Sequence, residues 1–269
     1  MPRIKTGDRV DHEHTPSGEK LALMAVFANP DQEVFSPAGT LARYASEGIR
    51  VAVVTATREQ APVVLTVAAR ATPALALPPR DKSCSCLTSG AQRICLLDYP
   101  GGKIDMGDEA LMLERLVRLV REQQPQVIVT YGPEGLGDPD HPLICRLTTS
   151  AFEMAGDSTC YPEHLADALM PYQPKKLYYS ILPQSAVTRW GALGMAAVPD
   201  AQITTVVDVS RYTQSKLRTL YCHRNHVHDY ARWLQEDTNV QWDQEYFVLA
   251  ASRLKRKLRK EQDLFTGLR

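Results

Sequence analysis

The sequence is short of the features that would place it in several large protein classes. No apolar run approaches the length needed to span a bilayer. Neither sign of charge is in excess: Lys+Arg and Asp+Glu both number 31, giving a net charge of zero, and the strongly basic balance of a nucleic-acid-binding domain is missing. The six cysteines, Cys84, Cys86, Cys95, Cys145, Cys160 and Cys222, include no Cys-x-x-Cys pair. Their spacing fits neither a disulfide framework nor a thiolate zinc site. The chain carries no Gly-x-Gly-x-x-Gly and no Gly-x-x-x-x-Gly-Lys-Ser/Thr, so the phosphate cradles of a nucleotide-binding regulator are absent. A Gly-x-Ser-x-Gly nucleophile elbow is also missing. Residues 1–19 are polar and charged, with no apolar stretch of the kind a secretory leader needs. They read as a flexible N-terminal arm on a cytoplasmic protein.

What is present is the composition of an ordinary globular domain, 44% hydrophobic and 23% charged over 269 residues, enough chain for one large buried core. Residues 21–28 (LALMAVFA) form a nearly continuous apolar run, the signature of a parallel strand buried on both faces. A helix over 37–47 follows, with Leu41, Tyr44 and Ala45 at helical spacing and Gly48 at its end. Residues 50–55 (RVAVVT) then read as a second buried strand, completing a βαβ unit. The pattern recurs, with strands expected at 93–98, 127–130, 176–181 and 203–209, and helices at 108–123, 143–154 and 210–223. This alternation predicts an α/β, three-layer Rossmann-like fold with a mostly parallel central sheet. Residues 20–269 read as a single domain. Its basic C-terminal run, Arg253, Lys255, Arg256, Lys257, Arg259 and Lys260, has Leu254 and Leu258 at i,i+4 spacing and reads as the solvated face of a helix. Residues 58–92 give no readable pattern, and Pro73, Pro78 and Pro79 break any long element there.

In open α/β sheets, ligands bind beyond the carboxyl ends of the strands. Two loops stand at such places. Ala28-Asn29-Pro30-Asp31-Gln32-Glu33 follows the first strand, and Gly135-Leu136-Gly137-Asp138-Pro139-Asp140-His141 follows the fourth. In folds of this type these two strands are commonly neighbours, so the loops can face each other. Read alone, His141 is as readily a solvated or structural histidine, and Asp31 as readily a helix cap. His223, His226 and His228 sit where a helix ends, and histidine there complements the dipole.

Taken together these blocks resemble the LmbE/PIG-L family of zinc-dependent N-deacetylases. Family members carry Ala-His-Pro-Asp-Asp-Glu after the first strand and His-Pro-Asp-His after the fourth. Here ANPDQEVFSPAGTLARYASEGIRVAVVTATR (28–58) is similar to the first block, VIVTYGPEGLGDPDHPL (127–143) to the second, LLDYPGG (96–102) to the end of the third strand, and KLRTLYCHR (216–224) to a late helix. The resemblance covers roughly residues 20–250.

The resemblance implies a role for each matching position. Asp31 matches the general base, Asp140 the aspartate beside the last metal ligand, and His141 that ligand itself. Glu33, Arg58 and His223 match positions that line the pocket. At three positions the chain departs from the pattern: Asn29 stands in place of a ligand histidine, Gln32 in place of a ligand aspartate, and Asp138 in place of the histidine that stabilises the tetrahedral intermediate. Zinc takes imidazole, thiolate and carboxylate ligands, and neutral amides are poor substitutes. A carboxylate opposite a developing oxyanion repels it. The expectation is an inactive or strongly impaired N-deacetylase homologue that keeps a pocket for an N-acetylated sugar or related amide, with no cofactor or only a weakly bound divalent cation. The alternative is an active amidase with a rearranged site, since the amide and carboxylate oxygens suit Mn²⁺, Mg²⁺ or Ca²⁺ better than zinc. Self-association into a homo-oligomer is a further habit of the family. Neither nucleic acid nor membrane is expected as a partner.

Overall fold

The computed structural model describes residues 20–29, 32, 36–58, 92–100, 109–135, 140–190, 195–222, 243–255 and 260–269. Along the chain the elements are β1 (Ala22–Phe27), α1 (Ala38–Ser46), β2 (Arg50–Arg58), β3 (Gln92–Pro100), α2 (Glu109–Gln123), β4 (Val127–Tyr131), α3 (Asp140–Met154), β5 (Lys176–Ser180), α4 (Gln184–Arg189), β6 (Thr205–Asp208), α5 (Thr213–Cys222) and β7 (Gln244–Ser252). The strands form one seven-stranded sheet in the order β3-β2-β1-β4-β5-β7-β6. The five strands from β3 to β5 are parallel, while β7 runs antiparallel to both β5 and β6. β1 and β4 are direct neighbours, with Ala25 opposite Val129 and Val26 opposite Thr130. Both expected loops therefore leave the same edge of the sheet side by side.

Helices cover both faces, giving the three layers. α2 and α3 bring Met112, Leu116, Val120, Leu147 and Phe152 onto Met24, Val26, Val54 and Ile128. On the opposite face Leu41 and Tyr44 of α1 and the chain end, Leu264, Phe265 and Leu268, cover Leu23, Phe27, Val53, Val129 and Tyr178. Every residue of β1 and of β4 is buried, which is why β1 reads as an unbroken apolar run rather than an alternating one. Each large apolar side chain so covered contributes about 1.5–3 kcal/mol.

Three buried polar assemblies fix the layers to each other. At the start of α1, Pro37 supplies no side-chain cap. Glu245 of β7 does so instead, accepting from Gly39 N–H at 3.0 Å and Thr40 N–H at 2.7 Å and pairing with Lys216 of α5 at 2.8 Å. A carboxylate at a helix N-terminus satisfies orphan donors and the dipole together. Gly39 is required here, because a Cβ would lie 2.8 Å from Val209 Cβ.

On the other face Arg121 is fully buried and places all five of its N–H donors. They reach the carbonyls of Ala155, Asp157, Cys160 and Tyr161, and His164 Nδ1 at 3.0 Å. Because guanidinium only donates, His164 accepts at Nδ1 and donates from Nε2 to Glu114 at 2.7 Å.

At the chain end, Glu261 accepts from Lys176 Nζ at 3.1 Å and from Tyr178 OH at 2.6 Å. Asp263 accepts from Tyr44 OH at 2.8 Å, Phe265 N–H at 2.9 Å and Arg269 Nε at 3.0 Å.

Two features depart from the sequence expectations. Neither β7 nor the short α4 is among the elements expected from the sequence. The expected basic C-terminal helix is not formed by the described residues around it. Arg253–Lys255 continue from β7 without helical structure and 260–269 make turns, with 256–259 outside the described residues. Arg253 is held by Glu153 of α3 at 2.6 Å and lies 4.8 Å from the Phe152 ring centroid, so it belongs to a tertiary contact rather than to a solvated helix face. The N-terminal arm 1–19 and most of the unreadable stretch, 59–91, also lie outside the described residues. Among the described residues no helix is long and apolar enough to cross a membrane.

Asp263 gives the fold an acid-sensitive clasp. Burial alone would raise its pKa, but hydrogen bonds from Phe265 N–H, Arg269 and Tyr44 outweigh that and hold it below the ordinary 3.8. A depressed carboxyl adds stability above its unfolded pKa and loses it as pH falls through the folded value. Asp263→Asn should therefore melt below the wild type at pH 7, and the gap should narrow as pH falls below the ordinary 3.8 of the carboxyl and through its lowered folded value. Thermal melts across pH measure this; a gap that does not change with pH would contradict it.

Candidate functional site

The site begins where β1 ends. Phe27 is the last ladder residue, and the chain then turns through Ala28 and Asn29 to Gln32. The Gln32 side chain folds back over this turn. Its Oε1 accepts from Ala28 N–H at 2.9 Å and Asn29 N–H at 3.0 Å. Gln32 N–H also reaches the Asn29 carbonyl at 3.3 Å. These bonds satisfy backbone groups that leave the ladder in a buried place, where an unmet donor costs about 1–3 kcal/mol. Gln32 is accordingly buried, at 8% exposure.

The neighbouring strands complete the arrangement. From β2, Thr57 N–H donates to the Ala28 carbonyl at 3.0 Å, and its hydroxyl donates to Asn29 Oδ1 at 2.6 Å. From β4, the Tyr131 hydroxyl donates to the Gln32 carbonyl. The Tyr131 ring stacks on His141, with centroids 4.7 Å apart and planes at 24°, and also meets Phe27, with centroids 5.2 Å apart. From β5, Ser180 Oγ donates to Ser36 Oγ at 2.7 Å, drawing the segment before α1 onto the sheet. Of the residues named from sequence, the structure thus brings Asn29, Gln32 and His141 to the adjoining ends of β1 and β4.

α3 begins three residues earlier than its apolar spacing suggests, at Asp140, so Asp140 and His141 both lie in its first turn. An acidic residue there suits the helix dipole, and Pro142 is tolerated because first-turn N–H groups have no helical partner anyway. His141 is buried, 4% exposed. Asp31, Glu33, Asp138, His223 and the side chain of Arg58 lie outside the described residues. Sequence reasoning missed Thr57 and Tyr131. The only signal for them is a polar group on the last residues of an otherwise apolar strand. Burial pushes the Cys145 thiol of α3 and the Tyr179 phenol of β5 up, so neither supplies a ready anionic nucleophile.

Among the described residues, the side chains at the matched ligand positions are two neutral amides and one imidazole, and zinc takes imidazole, thiolate and carboxylate. Asn29 and Gln32 offer one amide oxygen each, and both oxygens already accept hydrogen bonds from the protein. Among the described residues, no group of three or more His, Cys, Asp or Glu side chains converges as a metal site would need.

Gly135 sets the position of the imidazole. Its φ of +61° is in the left-handed region, and a Cβ there would stand 2.9 Å from His141 Cβ and 3.2 Å from Nδ1. Gly135→Ala should cost about 1–3 kcal/mol through the backbone alone and displace His141 from Tyr131. Urea unfolding and the ring-current shift of the His141 ring protons measure the two effects; an unchanged shift would contradict the packing.

Comparison with known proteins agrees with this geometry. The family model PIG-L, described as GlcNAc-PI de-N-acetylase, matches residues 24–152, the span from β1 to α3 that carries both loops. The chain is 31% identical over 244 residues to the 1D-myo-inositol 2-acetamido-2-deoxy-alpha-D-glucopyranoside deacetylase of Rhodococcus jostii, covering 76% of this chain and 81% of that protein. It is 27% identical over 294 residues to the mycothiol S-conjugate amidase of Streptomyces coelicolor, covering 93% and 98%. The solved structure of N,N'-diacetylchitobiose deacetylase from Pyrococcus horikoshii superimposes with a TM-score of 0.57 at 17% identity, covering 85% of this chain and 83% of that one, a likeness of fold. With a relative this similar over most of its length, the chain belongs to the PIG-L family, the LmbE-like N-deacetylases and amidases.

Proposed function

We propose that the protein keeps the ligand pocket of an N-deacetylase, binds an N-acetylated sugar or related amide there, and hydrolyses it poorly or not at all. One observation carries this reading. The two side chains at ligand positions, Asn29 and Gln32, are neutral amides whose oxygens are occupied by Thr57 O–H and by two backbone N–H groups. Hydrolysis of an unactivated amide needs an acidified water, a base beside it and a group that stabilises the oxyanion. In this reading Asp31 remains as the base, with Asp140 and His141 beside it, and Glu33, Arg58 and His223 line the pocket. The metal's support is missing, and Asp138 adds a negative charge where the reaction needs a donor. Loss of one oxyanion donor alone lowers turnover about 10²–10³-fold.

The relatives' names support the ligand class. One acts on a 2-acetamido-2-deoxy-glucopyranoside and another on a mycothiol S-conjugate, both described as amide-cleaving enzymes.

The test is the triple reversion Asn29→His, Gln32→Asp, Asp138→His, assayed beside the unmodified protein for metal content and for acetate release from an N-acetylglucosaminide. The reversion should hold about one zinc per chain and release acetate at least ~10³-fold faster than the wild type. Stoichiometric metal together with turnover in the unmodified protein would overturn the reading and favour an active amidase with a rearranged site.

A further inference from the structure

We infer that Gln32 and Asn29 are positioning residues that cross-link the β1 loop by hydrogen bonds in place of a metal ion, and that Gln32 in particular keeps a divalent cation out. This rests on the preceding reading that residues 29, 32 and 141 occupy the family's ligand positions.

An amide ligates a cation through its oxygen only, because the nitrogen lone pair is delocalised into the carbonyl. The Gln32 oxygen accepts from two N–H groups, at 2.9 and 3.0 Å, which uses both lone pairs of an sp² oxygen. The Asn29 oxygen accepts the Thr57 hydroxyl at 2.6 Å. A cation drawing on these oxygens would strip acceptors from Ala28 N–H, Asn29 N–H and Thr57 O–H. Ala28 is 1% exposed, so water does not replace what is lost there. The same bonds also perform the bridging that a metal held by both loops would perform. Thr57 of β2 holds Asn29, the turn closes on Gln32, the Gln32 carbonyl holds Tyr131 of β4, and Tyr131 stacks on His141 of α3. Among the described residues, Ala28, Asn29 and Gln32 are thereby tied to three neighbouring elements by protein groups.

Two substitutions separate the roles. Gln32→Glu keeps an acceptor for the two amides and replaces the amide nitrogen by a second carboxylate oxygen. Gln32→Met keeps the length and removes the acceptor. Zinc alone is the probe, titrated calorimetrically, and hydrogen exchange of the Ala28 and Asn29 amides is followed by NMR. In the wild type, exchange at both amides should be the same in zinc and in EDTA. Gln32→Glu should keep that protection and bind zinc about tenfold or more tighter than the wild type, a gain lost again when His141→Ala is added. Gln32→Met should lose protection at both amides and gain no zinc affinity. Wild-type zinc binding as tight as that of Gln32→Glu, or faster wild-type exchange in EDTA, would overturn the inference. Both of those readings survive even if Gln32→Met does not fold. Acetate release is not read in this experiment. Wild-type hydrolysis would therefore sink the functional proposal, while this assignment is decided by the zinc titration and the exchange data.

Discussion

The Gln32 amide oxygen, seated between the N–H groups of Ala28 and Asn29, is the contact on which the site depends. It decides what the end of β1 can do. With that oxygen committed, the turn from Ala28 to Gln32 is closed by the protein's own groups, and the one ligand atom of the Gln32 side chain is spent on the backbone. The remaining contacts are arranged around it. Thr57 and Tyr131 come from the strands on either side of β1 and hold the two ends of the same turn. His141 has the room that Gly135 leaves it and stacks on the Tyr131 ring.

This constellation is possible because the surrounding sheet is rigid. β1 and β4 are buried throughout, and the layers that cover them are locked by charges whose partners come from distant parts of the chain. Glu245 on β7 caps α1 and holds α5. Arg121 on α2 gathers four carbonyls of the segment following α3. Removing one partner of such a buried set costs about 3–5 kcal/mol, since it strands the other. The family's scaffold is thus intact, and the chemistry that distinguishes this chain is concentrated in a few side chains at one edge of it.

Much of the fold was legible because buried parallel strands and amphipathic helices leave strong patterns. LALMAVFA and VIVT are apolar on both faces, and the Leu and Val positions of α2 recur at helical spacing. β7 was not legible because it mixes buried and half-exposed residues without clean alternation, as an antiparallel strand joining two neighbours late in the chain can. The basic run after it has helical spacing, yet Arg253 is claimed by Glu153 and Phe152, partners roughly 100 residues away that no local pattern contains. At the site, the identities of Asn29, Gln32 and His141 stood out against the family's motif, and the adjacency of their loops followed from the strand order. What Gln32 does could not be read, because it depends on a side chain turning back onto its own backbone. Thr57 and Tyr131 were invisible for a similar reason: only the sheet register shows that strand-end hydroxyls reach that turn.

The measurement that bears most directly on this account is a crystal structure of the unmodified protein grown with excess zinc, with anomalous data collected at the zinc edge. The account predicts no zinc peak between residues 29, 32 and 141, and a Gln32 oxygen still on the amides of Ala28 and Asn29. A zinc peak there, with the amide oxygens of Asn29 and Gln32 turned toward it, would contradict it.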